Sequence, residues 1–567
     1  MVQVIQVLLL VIGYLELVIC SYSDTSETRE VLHLDGIWNC YCERDSRPLE
    51  YREKHGLRKL NGIIKVPIPG SLIDFDSKKC LGTVWFERSF FVPKSWKYER
   101  KIFLRLDGLA SDTRVWINGD DIETINTNFV ELDVTEKLVY ESENRIALEV
   151  RRIPTNQQVF PGISRSIILR SVPEILYIER VSVDSTVTNG TAYISYKAET
   201  GGLLRLNAKC ISVQVLDKDN IQVAYNTSKD SLEGYFSIPN CNLWWPLCMD
   251  SRAGYLYTLV FKLFYKYCES EIKDVYRMKI GIRPINWSNS SLKINDKNFL
   301  LQGVRGSDEW ARKPFNPSTD LKDITLLKWL NANAIVTNVP PSKETLDLTD
   351  EMGLFVILGS PKNVLKDVII RYRHHPSVIL WSISEGEYDN TNTSEYQRIN
   401  DNFIDDVKCL DPSRPLTAKL SFLTSEVNAE MISKLDIITL GDENAYSDND
   451  SVDRYNKPVI IMHPDEFLSA KNRIRTINFD STPEGNERAD SEKRNFSGIG
   501  EFYGNFIAYE CLKGEILTLV DGIFNRNREP TTAADSLRSK FRPKRSPCPN
   551  RTPRCKFNKN RRKRMLK

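Results

Sequence analysis

The chain has 567 residues, too many for a single hydrophobic core, so two to four domains are expected. Hydrophobic residues make up 41% and charged residues 27%, which excludes a low-complexity or disordered chain and fits a globular protein. The formal charge of +3 is uneven: Arg538 to Lys567 holds 14 Lys/Arg and no Asp/Glu, leaving 64 basic against 75 acidic residues elsewhere. An acidic body with a basic tail gives no ground for specific nucleic-acid recognition.

Val2 to Cys20 is an apolar run broken only by Gln3, Gln6, Gly13, Tyr14 and Glu16. Val18 and Cys20 suit cleavage before Ser21, so residues 1–20 read as a signal peptide. A membrane anchor is the competing reading, but Glu16 leaves too short an apolar stretch to span comfortably. Eight Asn-x-Ser/Thr sequons agree with export: Asn189, Asn226, Asn286, Asn289, Asn392, Asn449, Asn495 and Asn550. A secreted or lysosomal destination is therefore expected. Twelve cysteines are too sparse to be the framework of the fold, although Cys241 and Cys248 bracket a Trp-rich turn and Cys548 and Cys555 a tail loop. No cysteine spacing resembles a zinc site and His numbers five, so no metal and no cofactor are expected.

Leu34 to Val181 alternates apolar and polar residues at period two, as in Val84 to Val92, Ile102 to Leu106 and Arg114 to Gly119. With Asn-Gly and Pro-Lys punctuation this pattern predicts a β-sandwich over 21–182. Residues 183–284 repeat the character at the length of an immunoglobulin-like sandwich. After Asn286 short apolar runs alternate with helical patterns: Phe299 to Leu301, a helix over Leu321 to Leu330, then Ala334 to Val336. A helix over Lys343 to Glu351 and strands at Leu354 to Leu358, Val378 to Ile383, Ile437 to Leu440 and Val459 to Met462 follow. This alternation predicts a shortened (β/α)8 TIM barrel over 285–545, with no Gly-rich phosphate loop to favour a doubly wound sheet. Residues 546–567 form the basic tail. The expected fold class is thus multidomain, β and α/β.

Several strings resemble glycoside hydrolase family 2, and the β-glucuronidases within it. They are Leu34 to Trp38, Val66 to Ser71, Leu81 to Arg88, Asn242 to Pro246, Gly281 to Arg283, Leu326 to Ala334, His375 to Ser382, Gly522 to Arg526 and Leu537 to Phe541. The ordered set covers about 500 residues. The resemblance implies a jelly-roll-like sugar-binding sandwich, an immunoglobulin-like sandwich and a barrel that hydrolyses β-D-glucuronides. Retaining enzymes of this kind need two carboxyl groups ~5–5.5 Å apart. On a barrel both stand at C-terminal strand ends.

Both inherited positions are changed here. The family's acid/base, in Trp-Ser-x-x-Asn-Glu-Pro, falls on Gly386 of Trp381-Ser382-Ile383-Ser384-Glu385-Gly386-Glu387. The nucleophile, after Lys-Pro and a short strand, falls on His463. Imidazole attack would leave a cationic adduct, so His463 reads as a packed or capping histidine. The segment Phe-Arg-Thr-Ser-His is matched around Asn338 without its Arg and His, and Gly-Val-Asn has become Gly303-Val304-Arg305. The Asn-x-Lys motif falls on Leu519-Val520-Asp521, where an acidic side chain repels a uronate.

Two readings follow. In one the chain has lost hydrolysis and binds carbohydrate, of glucuronide or glycosaminoglycan type, or a protein partner. In the other, carboxylates drawn from Glu385, Glu387, Asp465 and Glu466 replace the lost pair. The first rests on three coincident losses, because fold retained without its site points to binding. Family resemblance also implies a homo-oligomer. In the tail, Arg542-Pro543-Lys544-Arg545 reads as a proprotein-convertase site cut after Arg545, and the same charge would suit a polyanion.

Overall fold

The computed structural model describes residues 25–42, 57, 62–71, 83–109, 113–125, 129–151, 162–205, 208–247, 249–268, 270–289, 291–306, 313, 315–383, 401–420, 429–441, 456–462, 500–505, 509–513, 516–520, 523–525 and 527–541. The expected signal peptide and convertase site lie outside them.

The first sandwich faces a four-stranded antiparallel sheet against a six-stranded one. Period-two patterning does its work in Arg100–Asp107, where Ile102, Leu104 and Leu106 are fully buried and their neighbours only half-buried. Trp38, Phe86, Val115, Ile146 and Leu148 fill the space between the sheets, with Trp38 Nε1 donating to Leu34 O at 2.8 Å. Asn118 and Gly119 turn the chain between Thr113–Ile117 and Asp120–Ile125 with φ of 54° and 94°. Both values are left-handed, as the Asn-Gly dipeptide permits.

The second sandwich packs a three-stranded sheet on a four-stranded one. Its first strand is Tyr177–Thr188, paired along its length with Thr191–Gly201, and the last strand of the first sandwich ends at Pro173. The changeover therefore falls upstream of the expected 182/183 border. The disulfide of this domain joins Cys210 to Cys268. Cys241 is a free thiol, so it does not close the Trp-rich turn with Cys248.

A strap at the start of the described chain binds the two sandwiches. Asp274, fully buried, accepts from Thr28 Oγ1 at 2.7 Å, Arg29 Nε at 3.0 Å and Ile178 N at 2.7 Å. Arg29 is itself buried and also donates to Ile178 O. Removing one partner of such a pair leaves a buried charge uncompensated. Asp274→Ala should lower stability by roughly 3–5 kcal/mol, read from urea unfolding of the purified protein.

Eight parallel strands close the barrel. They are β1 (Leu301–Arg305), β2 (Ala334–Thr337), β3 (Phe355–Ser360), β4 (Val378–Ile383), β5 (Leu416–Leu420), β6 (Ile437–Leu440), β7 (Val459–Met462) and β8 (Gly500–Asn505). Helices α1 (Pro317–Leu330), α2 (Lys343–Met352), α3 (Lys362–Tyr372), α4 (Asp401–Leu410), α5 (Ala429–Lys434) and α6 (Thr532–Lys540) pack outside. Asn316 caps α1 by accepting from Thr319 N, and Ser342 caps α2 through Thr345 N. Hairpin Ile285–Ser288/Ser291–Ile294 and Trp244 join the interior cluster with Leu301, Phe355 and Ile437.

The junction of second sandwich and barrel explains why certain strings read so clearly. Trp244 Nε1 donates to Asp350 O at 2.8 Å, and Arg283 donates to Val378 O at 2.7 Å and to Pro376 O. A Cβ on Gly281 would meet Pro376 at 2.6 Å, so this close approach requires glycine. Arg414 donates to His375 O at 2.9 Å, Val378 O at 2.6 Å and Asp411 Oδ2 at 2.6 Å, while Asp411 accepts from Trp381 Nε1 at 2.9 Å.

Candidate functional site at the barrel mouth

Side chains alternate between the barrel interior and the helices, and register decides which of them share a level. Climbing one residue per strand, a level that starts at Arg305 passes Thr337, Gly359, Ile383, Lys419, Leu440, Met462 and Tyr503 and returns to Arg305. Ile383, Leu440 and Tyr503 belong to the cluster under the helices, and Met462 to the interior. The odd strands therefore supply the inward layer, Arg305, Gly359, Lys419 and Met462, as a barrel packed in layers of four requires. Beneath it lie Val336, Ser382, Thr439 and Phe502, then Gly303, Ile357, Thr417 and Ile460. Thr417 Oγ1 and Thr439 Oγ1, 2.8 Å apart, link these two lower layers.

Two basic residues, Arg305 and Lys419, thus belong to the inward layer at the mouth. Arg305 and Lys419 are half-buried and stand on opposite strands, β1 and β5. Sequence reading noted Arg305 as a lost Asn but passed over Lys419, because β5 shows no apolar run.

Of the expected site residues, Asn338 follows β2 directly and is half-buried. Ser382, in the string that leads to the acid/base position, lies inward near the end of β4, and Met462 closes β7 immediately before the nucleophile position. Glu385, Gly386, Glu387, His463, Asp465 and Asp521 lie outside the described residues. Leu519 sits on strand Ile516–Val520, which pairs with Tyr509–Lys513 in a separate hairpin. Among the sequons, Asn189, Asn286 and Asn289 are exposed. Asn226 is engaged at both ends, donating to Tyr235 O at 2.9 Å and accepting from Tyr196 Oη at 3.0 Å. Asn392, Asn449, Asn495 and Asn550 fall outside the described residues.

Asp347, Asp350 and His375 form a group with metal-ligand spacing among the described residues. They lie at the opposite end of the barrel, before β3 and β4. His375 Nδ1 is 2.6 Å from Asp350 Oδ2, whose other oxygen accepts from Ser377 N at 2.9 Å. That carboxylate is occupied in fastening the turn before β4.

The first sandwich reaches the mouth. Buried Arg165 donates to Lys313 O at 2.9 Å, beyond β1, and to Pro340 O at 3.0 Å, beyond β2. Next to it Asp107 pairs with Arg371 at 2.6 Å, and the Arg371 guanidinium lies 3.8 Å from the centre of the Phe129 ring. Burial alone would raise the Asp107 carboxyl, but Arg371, Arg165 and Arg105 outweigh it and hold it below the usual carboxylate range. A depressed folded-state value contributes stability above the unfolded one, and that stability is lost as pH falls through it. Stability should therefore decline as pH falls below about 4, the ordinary Asp value. Asp107→Asn should make the decline shallower in thermal melts across that range.

A closed barrel carrying two β-sandwiches, the first of which reaches the segments beyond its first two strands, is the architecture of a multidomain glycoside hydrolase. The description "Glycosyl hydrolases family 2, TIM barrel domain" matches residues 285–363 and 360–463, and "Glycosyl hydrolases family 2, sugar binding domain" matches 48–173. The chain belongs to glycoside hydrolase family 2. It is 25% identical to the β-glucuronidase of Homo sapiens over 92% of each chain. It is 28% identical to that of Paenibacillus borealis over 69% of this chain and 73% of that one. The β-glucuronidase of Bifidobacterium dentium, solved with coumarin-3-O-glucuronide, superposes with a TM-score of 0.76 at 21% identity, covering 92% of this chain and 98% of that one. Within its family the chain is β-glucuronidase-like.

Proposed function

We propose that this β-glucuronidase-like protein binds carbohydrate at its barrel mouth without hydrolysing glycosides. The observation that carries the reading is the pair Gly386 and His463 at the family's acid/base and nucleophile positions. Its support is positional. The strings Trp381-Ser382 and Lys457-Pro458 lead through or into the fourth and seventh barrel strands, and Gly386 and His463 follow those strands in the sequence. Proton transfer from a placed acid is worth roughly 10²–10⁴ in rate. Its loss alone removes about 3–5 kcal/mol of transition-state stabilisation. Glycine offers no proton, and histidine cannot form the neutral glycosyl ester. Carbohydrate remains the ligand class because a structural relative holds a glucuronide.

Export belongs to the same reading. It is supported by the apolar N-terminal run, by exposed sequons at Asn189, Asn286 and Asn289, and by the Cys210–Cys268 disulfide, which suits an oxidising compartment. Asn189 stands at the tip of a hairpin with φ of 50°, open to a glycan. Peptide mapping of the secreted protein should find occupancy highest at Asn189 and lowest at Asn226, whose amide is already engaged.

The purified protein should release no aryl group from aryl β-glucuronides above buffer. Turnover that vanishes in Glu385→Gln, Glu387→Gln or Asp465→Asn would instead establish a working enzyme with relocated carboxylates.

A further inference from the structure

The outer face of the three-stranded sheet in the second sandwich bears two tyrosines that its core does not use. Strand Thr191–Gly201 buries Ala192, Ile194 and Tyr196 and exposes Tyr193, Ser195 and Lys197. Strand Glu233–Ile238 buries Phe236 and Ile238 and exposes Tyr235 and Ser237. Tyr193 is 51% exposed and Tyr235 80%. Tyr193 pairs with Ser237 and Tyr235 with Ser195, so the tyrosines hold diagonal positions on neighbouring strands, about 7–8 Å apart and within reach of one flat ligand. Thr186 stands on the far side of Tyr193, which makes the row nearest the hairpin tip, Thr186, Tyr193 and Ser237, uncharged. Charge lies farther from the tip and is paired, Lys197 with Glu233 at 3.6 Å and Asp184 with Arg373 of the barrel. Sugars offer the two surfaces such a face can meet: C–H faces that pack on aromatic rings, and hydroxyls that exchange hydrogen bonds with Ser and Thr.

The attachment point for a saccharide lies beside this face. Asn189-Gly190-Thr191 is a sequon at the tip of the hairpin joining Tyr177–Thr188 to Thr191–Gly201, and Asn189 is exposed. Tyr193 follows the closing pair Thr188–Thr191 by two residues, about 7 Å along the strand, within reach of the innermost sugars of an N-linked glycan. Those sugars are neutral, as suits an uncharged row. We propose that the Asn189 glycan folds back on this sheet face and covers Tyr193 and Tyr235. This rests on the export reading, which supplies the glycan, and adds where the glycan lies. A short tether holds the saccharide at millimolar effective concentration, so a contact of only millimolar affinity is about half-occupied. Covering the two rings also removes an exposed aromatic patch from the surface.

The test is nitration of the full-length secreted protein with tetranitromethane, with the rate at each tyrosine read by peptide mass spectrometry. Asn189→Asp removes the sequon and keeps a residue that tolerates the left-handed turn, and Thr191→Ala removes the sequon and keeps Asn189. Both should raise the nitration rate of Tyr193 and Tyr235 by about two-fold or more, as the loss of half-occupancy requires. Thr191→Ser preserves the sequon and should leave both rates as in the parent protein. Tyr98 in the first sandwich and Tyr267 at the far sheet, 71% and 74% exposed, should react equally in every form, which separates uncovering from unfolding. Rates at Tyr193 and Tyr235 that are the same with and without the Asn189 glycan overturn the proposal. So does slow nitration in the sequon-less variants that quickens on dilution, which assigns the face to a second copy of the chain. Glycans at other sequons with none at Asn189 overturn it and leave export standing. Absence of glycan from every sequon overturns both.

Discussion

Barrel closure is the constraint from which the rest of this molecule follows. Eight strands of four to six residues have one shared interior, and the shear that closes them decides which side chains meet there. Once β1 pairs with β2 and β8, every inward position is assigned, and no substitution at the mouth can change its neighbours without breaking register. Arg305 and Lys419 face the axis because Val304, Leu416 and Ala418 face the helices. Their placement results from alternation, and whatever the mouth does must be done with charge on its floor.

The two ends of the barrel answer to different demands. At the entry ends of the strands, Trp244, Arg283, Asp350, His375 and Arg414 form a buried network in which nearly every polar group has a partner inside the protein. Removing one member strands the others in low dielectric, so this end tolerates little change. The C-terminal ends carry residues whose value lies in chemistry, and such residues can change while the core holds. Three of the family strings readable in this chain, Asn242 to Pro246, Gly281 to Arg283 and His375 to Ser382, supply that network.

This division also accounts for what was legible in the sequence. Period two disclosed Arg100–Asp107 because one face is apolar throughout. β2, β3, β4, β6 and β7 stood out as apolar runs, since strands sandwiched between interior and helices need both faces apolar. β5, reading LTAKL, and β8, reading GEFYGN, escaped because Lys419 faces the axis of the mouth and glycines replace large side chains. The Tyr177–Thr188 strand hid the domain border, as it runs twelve residues with exposed Ser, Asp and Thr along its outer half. The Cys210–Cys268 bridge spans 58 residues of sequence and joins neighbouring strand ends only after the sheet forms.

A fold that keeps its docking network while its mouth changes charge is not decaying uniformly. Random loss would strike the buried Asp274, Asp350 and Asp411 as readily as the strand ends. The fold could not survive several such strikes, because stability margins are only about 5–15 kcal/mol. Conversely, a mouth free of all demand would be expected to fill with apolar residues, which stabilise a barrel floor at no cost in desolvation. Instead it carries Arg305 and Lys419 above a threonine pair. A polar floor where an apolar one would serve packing better places the demand on this layer in chemistry rather than in stability.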